Sequence, residues 1–175
     1  MITPINSFDQ IEIIPESLVV FDIDDTLIRF DGIDLKWWKN KIKKYMVMTR
    51  DEQLAESMAN SDLIKIMNTC EPELVDNQVH NFITRLQESN CHIILLTARD
   101  ENIRELTIRH LESVNLNFEH IYFNQNKGDE LKKIVSEQYE NISNIIMIDD
   151  MMANLEDIKQ KFSDSNYTVK LYNIR

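Results

Sequence analysis

Closely spaced aspartates follow the apolar run Leu18–Phe21 in this chain of 175 residues. A run of this kind predicts a buried parallel strand, which would deliver Asp22, Asp24 and Asp25 to its C-terminal edge. Ligands and catalytic groups collect at that edge in open α/β sheets. Two carboxylates at i and i+2 could share one site, where one attacks or binds a metal and the other transfers protons. The alternative is that these acids only cap the next helix.

A second apolar run, Ile145–Ile148, also stops at paired acids, Asp149 and Asp150, and Asn154 lies four residues beyond them. If the two strands are neighbours, their carboxylates form an oxygen-only cluster of the kind that suits a hard divalent cation, above all Mg²⁺. Two unrelated acidic caps are the alternative. It is weakened because both clusters end the most apolar runs of the chain.

The third run, His92–Leu96, is followed by Thr97, Ala98 and Arg99. A hydroxyl beside the backbone N–H groups of a strand-to-helix turn is a natural ligand for a phosphate oxygen, although threonine is also common there as a simple cap. Lys127 opens a further predicted helix. A lysine in that position is usually a surface charge, but a carboxylate cluster and a phosphate would both require such a cation.

These segments, in this order, resemble the haloacid dehalogenase-like (HAD) superfamily of phosphohydrolases. The resemblance spans about residues 18 to 172. It rests on a DxDxT motif, a strand-terminal threonine, a lysine and an acidic pair: Asp22, Asp24, Thr26, Thr97, Lys127, Asp149 and Asp150. The stretches VVFDIDDTLI, ILLTAR and NKGDELK are similar to class B acid phosphatases, and more so to a related bacterial family of unassigned function. Asn154 departs from the pattern, because many members have aspartate there.

The resemblance implies a Mg²⁺-dependent phosphatase in which Asp22 is the nucleophile and forms an aspartyl-phosphate. Asp24 would act as general acid and then as base. The implied metal ligands are Asp22, the backbone carbonyl of Asp24, and Asp150 with Asp149 close by; which acid of this pair ligates directly stays open. Asn154 is a candidate for an outer-sphere contact with the metal.

The implied contacts with the substrate come from five residues: Thr26, Thr97, Ala98, Arg99 and Lys127. Lys127 and backbone N–H groups would neutralise the phosphoryl oxygens in the transition state, which also places this lysine among the catalytic residues. Arg99 has two possible roles: it could bind the substrate, or it could form an ion pair with one of the acids.

Apolar periodicity predicts an α/β fold with a Rossmann-like parallel sheet of about five strands. The strands lie at about 18–23, 92–97, 119–123, 144–149 and 168–172, and helices lie at about 75–89, 100–113, 127–139 and 151–162. The remaining interval, 31–74, is predicted to be a small helical insert. Residues 1–30 and 75–175 would form the α/β core. The resemblance implies that this insert is a cap that selects substrates. Because the insert is small, we expect it to cover only part of the active site.

The insert contains a segment, Lys36 to Tyr45, with five lysines and three aromatic residues. It could contact a phosphorylated substrate, or it could be a basic amphipathic helix that touches an acidic membrane or partner. Otherwise it is a cap helix with its tryptophans packed inward and its lysines solvated. The net charge of −11 over the whole chain discourages nonspecific binding to nucleic acid.

We therefore expect hydrolysis of a small phosphorylated substrate, a nucleotide or another small organic phosphate. A phosphoprotein or nucleic-acid-end phosphatase is the alternative enzyme, and an interaction module on a HAD scaffold is the non-catalytic alternative. Cys70 and Cys91 form no CxxC pair, so no zinc or redox site is indicated. The first 17 residues lack a signal-like apolar region, which favours the cytoplasm, with the periplasm or secretion as the alternative if a leader was removed.

Overall fold

The computed structural model describes all residues, Met1–Arg175, as eight strands and six α-helices. The strands are β1 (Ile2–Ile5), β2 (Leu18–Phe21), β3 (Ile28–Arg29), β4 (Glu73–Leu74), β5 (His92–Thr97), β6 (Ile121–Phe123), β7 (Asn144–Asp149) and β8 (Thr168–Ile174). The helices are α1 (Leu35–Thr49), α2 (Glu52–Thr69), α3 (Val79–Glu88), α4 (Arg104–Ser113), α5 (Lys127–Gln138) and α6 (Met152–Lys161). No helix has the length and apolarity that crossing a membrane would require.

Six strands form one parallel sheet in the order β1-β8-β7-β2-β5-β6, which confirms the predicted α/β fold. The central strand, β2, has all four of its residues fully buried, because helices cover both faces of the sheet. In the pairing register, Phe21 lies beside Ile148 of β7 and Leu95 of β5. The residues that follow these three strands therefore meet at one edge of the sheet.

The sixth strand, β1, was not predicted. It pairs with β8 at the edge of the sheet, and only one of its four residues, Ile5, is buried. A strand with one buried side chain and a proline has neither a continuous apolar run nor an alternation by which its sequence could reveal it.

The helices pack against the sheet through two separate apolar cores, one on each face. Phe8, Phe21 and Phe82 form an aromatic cluster in the first core, with ring centroids 5.4 to 6.1 Å apart. Leu131 of α5 and Leu155 of α6 belong to the second. Apolar side chains at helical spacing on these helices therefore serve the core, as their periodicity predicts.

The predicted insert contains the antiparallel helices α1 and α2, which pack against each other and which we call the cap hairpin. Strands β3 and β4 pair antiparallel where the hairpin leaves and rejoins the core. Two-residue strands carry no periodic signal, so this ribbon was not predicted. A small cluster of Phe30, Met67 and Leu106 joins the base of the hairpin to α4.

Two predicted helices begin later in the structure than in the sequence-based prediction. The helix predicted from residue 75 begins at Val79, because Asp76 forms a turn in which its carboxylate accepts hydrogen bonds from the N–H groups of Phe8 and Gln78. The helix predicted from residue 100 begins with a 3₁₀ turn at Glu101–Ile103 and becomes α-helical at Arg104. Both changes lie at element boundaries, where side-chain hydrogen bonds compete with the helix.

Candidate active site

A cavity of about 860 Å³ opens at the C-terminal edge of the sheet and extends beneath the cap hairpin. Eight of the predicted site residues line it: Asp22, Asp24, Thr97, Ala98, Arg99, Lys127, Asp150 and Asn154. The other two, Thr26 and Asp149, are fully buried outside its lining. The ends of β2, β5 and β7 thus bring residues that are far apart in sequence to one cavity.

Lys127 joins the acids of two strands. Its Nζ donates hydrogen bonds to Oδ1 of Asp22, at 2.5 Å, and to Oδ2 of Asp149, at 2.7 Å. The three side chains are only 1%, 8% and 0% exposed, respectively. Burial alone lowers the pKa of Lys127, but attraction to the two carboxylates raises this pKa above its ordinary value. The lysine therefore stays charged.

Gly128 explains how α5 can begin at this place. Its N–H donates a 3.0 Å hydrogen bond to the Asp157 carboxylate of α6, and a Cβ at residue 128 would collide with that carboxylate. A residue without a side chain is therefore required for α5 to approach α6 this closely. The glycine after Lys127 thus fixes the position from which the lysine reaches the acids.

Asp149 and Asp150 have different surroundings, although they are adjacent in sequence. The Asp149 carboxylate accepts hydrogen bonds from Lys127, from the N–H of Met151 at 2.8 Å, and from the Asn154 side chain at 3.0 and 3.1 Å. The Asp150 carboxylate accepts none and faces the cavity. Asp149 is therefore engaged in holding the site together, whereas Asp150 is the acid available to a ligand.

Two buried residues support the backbone of this acidic pair. The Thr26 hydroxyl accepts a 3.1 Å hydrogen bond from the N–H of Asp150. Asn173 of β8 donates from Nδ2 to the carbonyl oxygens of Asp149, at 3.2 Å, and of Asp150, at 2.6 Å. Thr26, predicted to contact the substrate, is thus placed beneath the site. Asn173 was not predicted, because only its pairing opposite Asp149 in the sheet reveals its role.

The carboxylates of Asp22, Asp149 and Asp150 offer oxygen atoms that lie within 4.8 Å of one another. Burial, together with repulsion from Asp22 and Asp149, raises the pKa of Asp150 to about 8. Burial also raises the pKa of Asp22 to about 7, against the attraction of Lys127. The raised pKa values show that full ionisation of the cluster is unfavourable unless a cation compensates the negative charge. Because the cluster offers only oxygen ligands, a divalent metal ion could supply that charge.

The three acids of this cluster are not equally available to a metal ion. Because Asp149 is saturated by its hydrogen bonds, Asp22 and Asp150 are the side chains that would hold such an ion.

Asp24 lies on the side of the cavity where Arg99 is buried. The Arg99 guanidinium donates from Nε and Nη2 to the two Asp24 oxygens, at 2.8 and 2.7 Å. The sequence left two roles open for Arg99, and the structure shows the ion pair. The Arg99 side chain is 4% exposed and the Asp24 side chain 45%, so the carboxylate remains accessible from the cavity.

Arg99 is itself held by α4 and linked to the cap hairpin. Its Nη1 donates to the Thr107 hydroxyl at 3.1 Å and lies 3.4 Å from Nδ1 of His110. Nε2 of the same imidazole lies 2.7 Å from the carbonyl oxygen of Met67 in α2. Because a carbonyl oxygen can only accept, the proton belongs on Nε2, which leaves Nδ1 to accept from Arg99. The sequence places His110 only within the helix predicted at about 100–113 and does not indicate these contacts.

Unpaired backbone N–H groups follow two of the strands that end at the cavity. The N–H groups of Ile23, Asp24 and Ala98, which follow β2 and β5, donate no hydrogen bond within the protein. The Thr97 hydroxyl accepts a 3.1 Å hydrogen bond from the N–H of Arg99, so its own proton remains free to be donated. Asp24, Thr97 and Ala98 line the cavity, so their free donors, with Lys127, could bind the oxygens of a tetrahedral anion placed against Asp22.

The segment Lys36 to Tyr45 contributes aromatic residues to the cavity. Trp37 and Trp38 line it and are partly buried. Lys41 donates to Asp62 of α2 at 2.8 Å and lies over the Trp37 ring, so it joins the two helices of the hairpin. None of the five lysines of the segment lines the cavity.

Two solved structures with a similar fold are of the class C acid phosphatase from Bacillus anthracis. The first has a TM-score of 0.49 and 17% sequence identity, and the match covers 91% of this chain and 66% of that chain. The second, with tungstate bound, has a TM-score of 0.48 and 17% identity, and covers 94% of this chain and 68% of that chain. The placement near class B acid phosphatases stays a prediction. No curated protein matches the sequence.

A family model described as "Protein of unknown function (DUF2608)" matches residues 3–125 and 120–174. The two matched segments include the end of every strand that contributes to the cavity. This chain is therefore a member of the DUF2608 family.

Proposed function

We propose that this protein is a Mg²⁺-dependent phosphatase of the HAD superfamily that hydrolyses a phosphate monoester through an aspartyl-phosphate on Asp22. One observation carries the proposal. The Asp22 carboxylate contacts Lys127, lies within 4.8 Å of the Asp150 carboxylate, and lines the same cavity as Asp24. Neither the packing of the core nor the binding of a ligand alone would require a buried carboxylate with a lysine and a second carboxylate beside it.

In the first step an oxygen of Asp22 forms a bond to phosphorus while the ester oxygen leaves with the electrons of the P–O bond. Lys127 and the free N–H groups of Asp24 and Ala98 would hold the other phosphoryl oxygens, where negative charge is concentrated in the transition state. A bound Mg²⁺ would reduce the repulsion between the carboxylate and the phosphate dianion.

Asp24 handles the protons in this proposal. It gives a proton to the departing ester oxygen and later takes one from the water that hydrolyses the aspartyl-phosphate. Each of its oxygens accepts one hydrogen bond from Arg99, so the proton can occupy the remaining lone pair of either oxygen. Its partial exposure allows contact with a substrate in the cavity.

The cavity favours a small substrate with an apolar or aromatic group. Trp37, Trp38, Phe30 and Phe123 contribute apolar surface beyond the acids and could stack on a base or another ring. Further carboxylates also line the cavity: Asp25, Asp34, Glu56, Asp100 and Glu101. These would repel additional phosphate groups, which supports a nucleoside monophosphate or a similar small monoester over the end of a nucleic acid.

The test is phosphate release from p-nitrophenyl phosphate, nucleoside monophosphates, sugar phosphates and phosphopeptides, with Mg²⁺ and with EDTA. We expect metal-dependent turnover that falls by about 10³-fold or more in Asp22→Asn. Asp164→Asn, a change at an exposed carboxylate outside the cavity, is the control. No release from any substrate by folded, Mg²⁺-loaded protein would favour the non-catalytic module, and preference for phosphopeptides would favour the phosphoprotein alternative.

A further inference from the structure

Helix α1 carries charge of one sign in an otherwise acidic chain. Its residues, Leu35–Thr49, include five lysines and no aspartate or glutamate, whereas the chain has a net charge of −11. Only Lys41 forms an ion pair, with Asp62. The four others, Lys36, Lys39, Lys43 and Lys44, are exposed and have no carboxylate partner. This concentration of unpaired positive charge is not accounted for by the packing of the cap hairpin.

The lysines of α1 lie on different faces of the helix. Lys41 and Tyr45 both bind Asp62 of α2, so they mark the inner face of α1. At about 100° per residue, Lys36, Lys39 and Lys43 lie within roughly 40° of the direction opposite Lys41. We call these three lysines, with Met46 and Val47 on the same side, the outer face of α1.

The outer face ends in exposed apolar side chains at the tip of the cap hairpin. On the outer face, Val47 is 77% exposed and Met46 is 36% exposed. Met48, on the opposite side of the last turn of α1, and Leu54 of α2 are 66% and 50% exposed. No residue of α1 is buried, so these side chains do not belong to a core. Asp51 and Glu52, at the start of α2, are the acids nearest the tip in sequence, and Arg50 offsets one of these charges.

We propose that the outer face of α1 docks on an anionic lipid surface. Positive charge attracts a protein to acidic headgroups, and apolar side chains beside that charge can then enter the interfacial layer of the bilayer. A nucleic acid would attract the lysines but would offer no apolar phase to Met46 and Val47, which are both exposed. Because the rest of the chain is acidic, electrostatic attraction would orient the protein with this face toward the membrane.

The docked orientation leaves the cavity accessible. The cavity is lined from the cap hairpin by Trp37, Trp38 and one face of α2, whereas Lys36, Lys39 and Lys43 do not line it. The membrane would therefore contact the hairpin on a surface distinct from the candidate active site. This inference does not depend on the proposed phosphatase activity, because it requires only the fold and the charge of α1.

The test is sedimentation of the full chain with vesicles of phosphatidylcholine, with and without about one third phosphatidylserine. We expect binding only to the anionic vesicles, weakened by high salt. Lys36→Gln/Lys43→Gln should weaken binding roughly tenfold or more, since each lysine near an acidic surface contributes about 1 kcal/mol. Val47→Asp should weaken it as well.

The matched control is Lys132→Gln/Lys133→Gln, which removes two exposed lysines from α5. It should bind as the unmodified protein does. Equal weakening in both lysine pairs would overturn the proposal, because attraction would then not be specific to α1. Absence of binding to anionic vesicles at low salt would overturn it too, including the case in which the protein binds an acidic peptide or nucleic acid instead.

Discussion

The guanidinium of Arg99 holds the carboxylate of Asp24 through two hydrogen bonds, of 2.8 and 2.7 Å, between residues 75 positions apart. Arg99 follows β5 and Asp24 follows β2, so the pairing of these two strands brings the residues together. The arginine is buried and fixed from behind by Thr107 and His110. The partly exposed carboxylate therefore has a defined orientation toward the cavity.

Arg99→Lys should impair catalysis more for substrates whose leaving group needs a proton than for those whose leaving group does not. Lysine keeps the charge but cannot form the two-point contact, so Asp24 loses its orientation. Alkyl phosphates need a proton on the departing oxygen, and we expect their kcat/KM, which reports the transfer of the phosphoryl group to Asp22, to fall by about 100-fold, within the usual range for general acid catalysis. With p-nitrophenyl phosphate, whose leaving group needs no proton, the fall in kcat/KM should be a few-fold. Equal losses of kcat/KM for both substrates would show that Arg99 does not act through the acid role of Asp24.

His110 should make stability depend on pH. Burial, with repulsion from Arg99 and Arg109, lowers the pKa of His110 despite the opposing effects of the Met67 carbonyl and Asp24. The unfolded chain therefore binds a proton more readily, so this contribution to stability is present above pH 6.5 and is lost as the pH falls through the lowered pKa.

Urea unfolding of the protein and of His110→Gln at a series of pH values measures this contribution. Glutamine can still donate to the Met67 carbonyl but does not titrate. The difference in the free energy of unfolding between the two proteins should shrink as the pH drops below 6.5. A difference that stays constant with pH would contradict the assignment of a neutral, buried imidazole.

Lys127→Met should destabilise the fold strongly. The substitution keeps much of the side-chain volume but leaves Asp22 and Asp149 buried without their cation. Removing one partner of a buried ion pair costs about 3–5 kcal/mol. Chemical denaturation measures this cost, with Lys132→Met on the exposed side of α5 as the control, which should change stability by less than about 0.5 kcal/mol. A similar small change at both positions would contradict the structural role of Lys127.

Mg²⁺ should raise the melting temperature of the protein. Binding to the folded state alone contributes about 2.7 kcal/mol at a concentration 100 times Kd, which corresponds to roughly 5–10 °C for a chain of this size. Asp150→Asn should remove this response without unfolding the protein, because the Asp150 carboxylate makes no hydrogen bond and its repulsion with Asp22 and Asp149 is relieved.

Asp149→Asn is the comparison for that measurement. It weakens the contacts with Lys127 and Asn154, so we expect it to lower the melting temperature even without metal. If Asp149→Asn alone removed the response to Mg²⁺, and Asp150→Asn kept it, the assignment of the two acids would be reversed.

The acids, Thr97 and Lys127 could be located from the sequence because each stands at the end or start of an element with a strong local pattern. A continuous apolar run ending in polar residues predicts the C-terminal edge of a buried strand, and alternation with helices predicts that such strands are parallel. Since parallel strands share that edge, the sequence predicts that Asp22 and Asp24 lie at the same edge of the sheet as Asp149 and Asp150, although it leaves open which acid of the second pair is available to a ligand. The cap hairpin could be located in the same way, as a helical interval too long for one crossover.

Only the tertiary structure decided which partner each of these residues has. The contacts of Arg99 with Asp24, His110 with Met67, and Asn173 with Asp150 join residues 75, 43 and 23 positions apart. Periodicity in a sequence reports which face of its own element a side chain occupies, but not which strand or helix will lie against that face. The sharing of roles between Asp149 and Asp150 depends on the same long-range contacts, since two adjacent aspartates are equivalent until Lys127 and Asn154 are placed beside one of them.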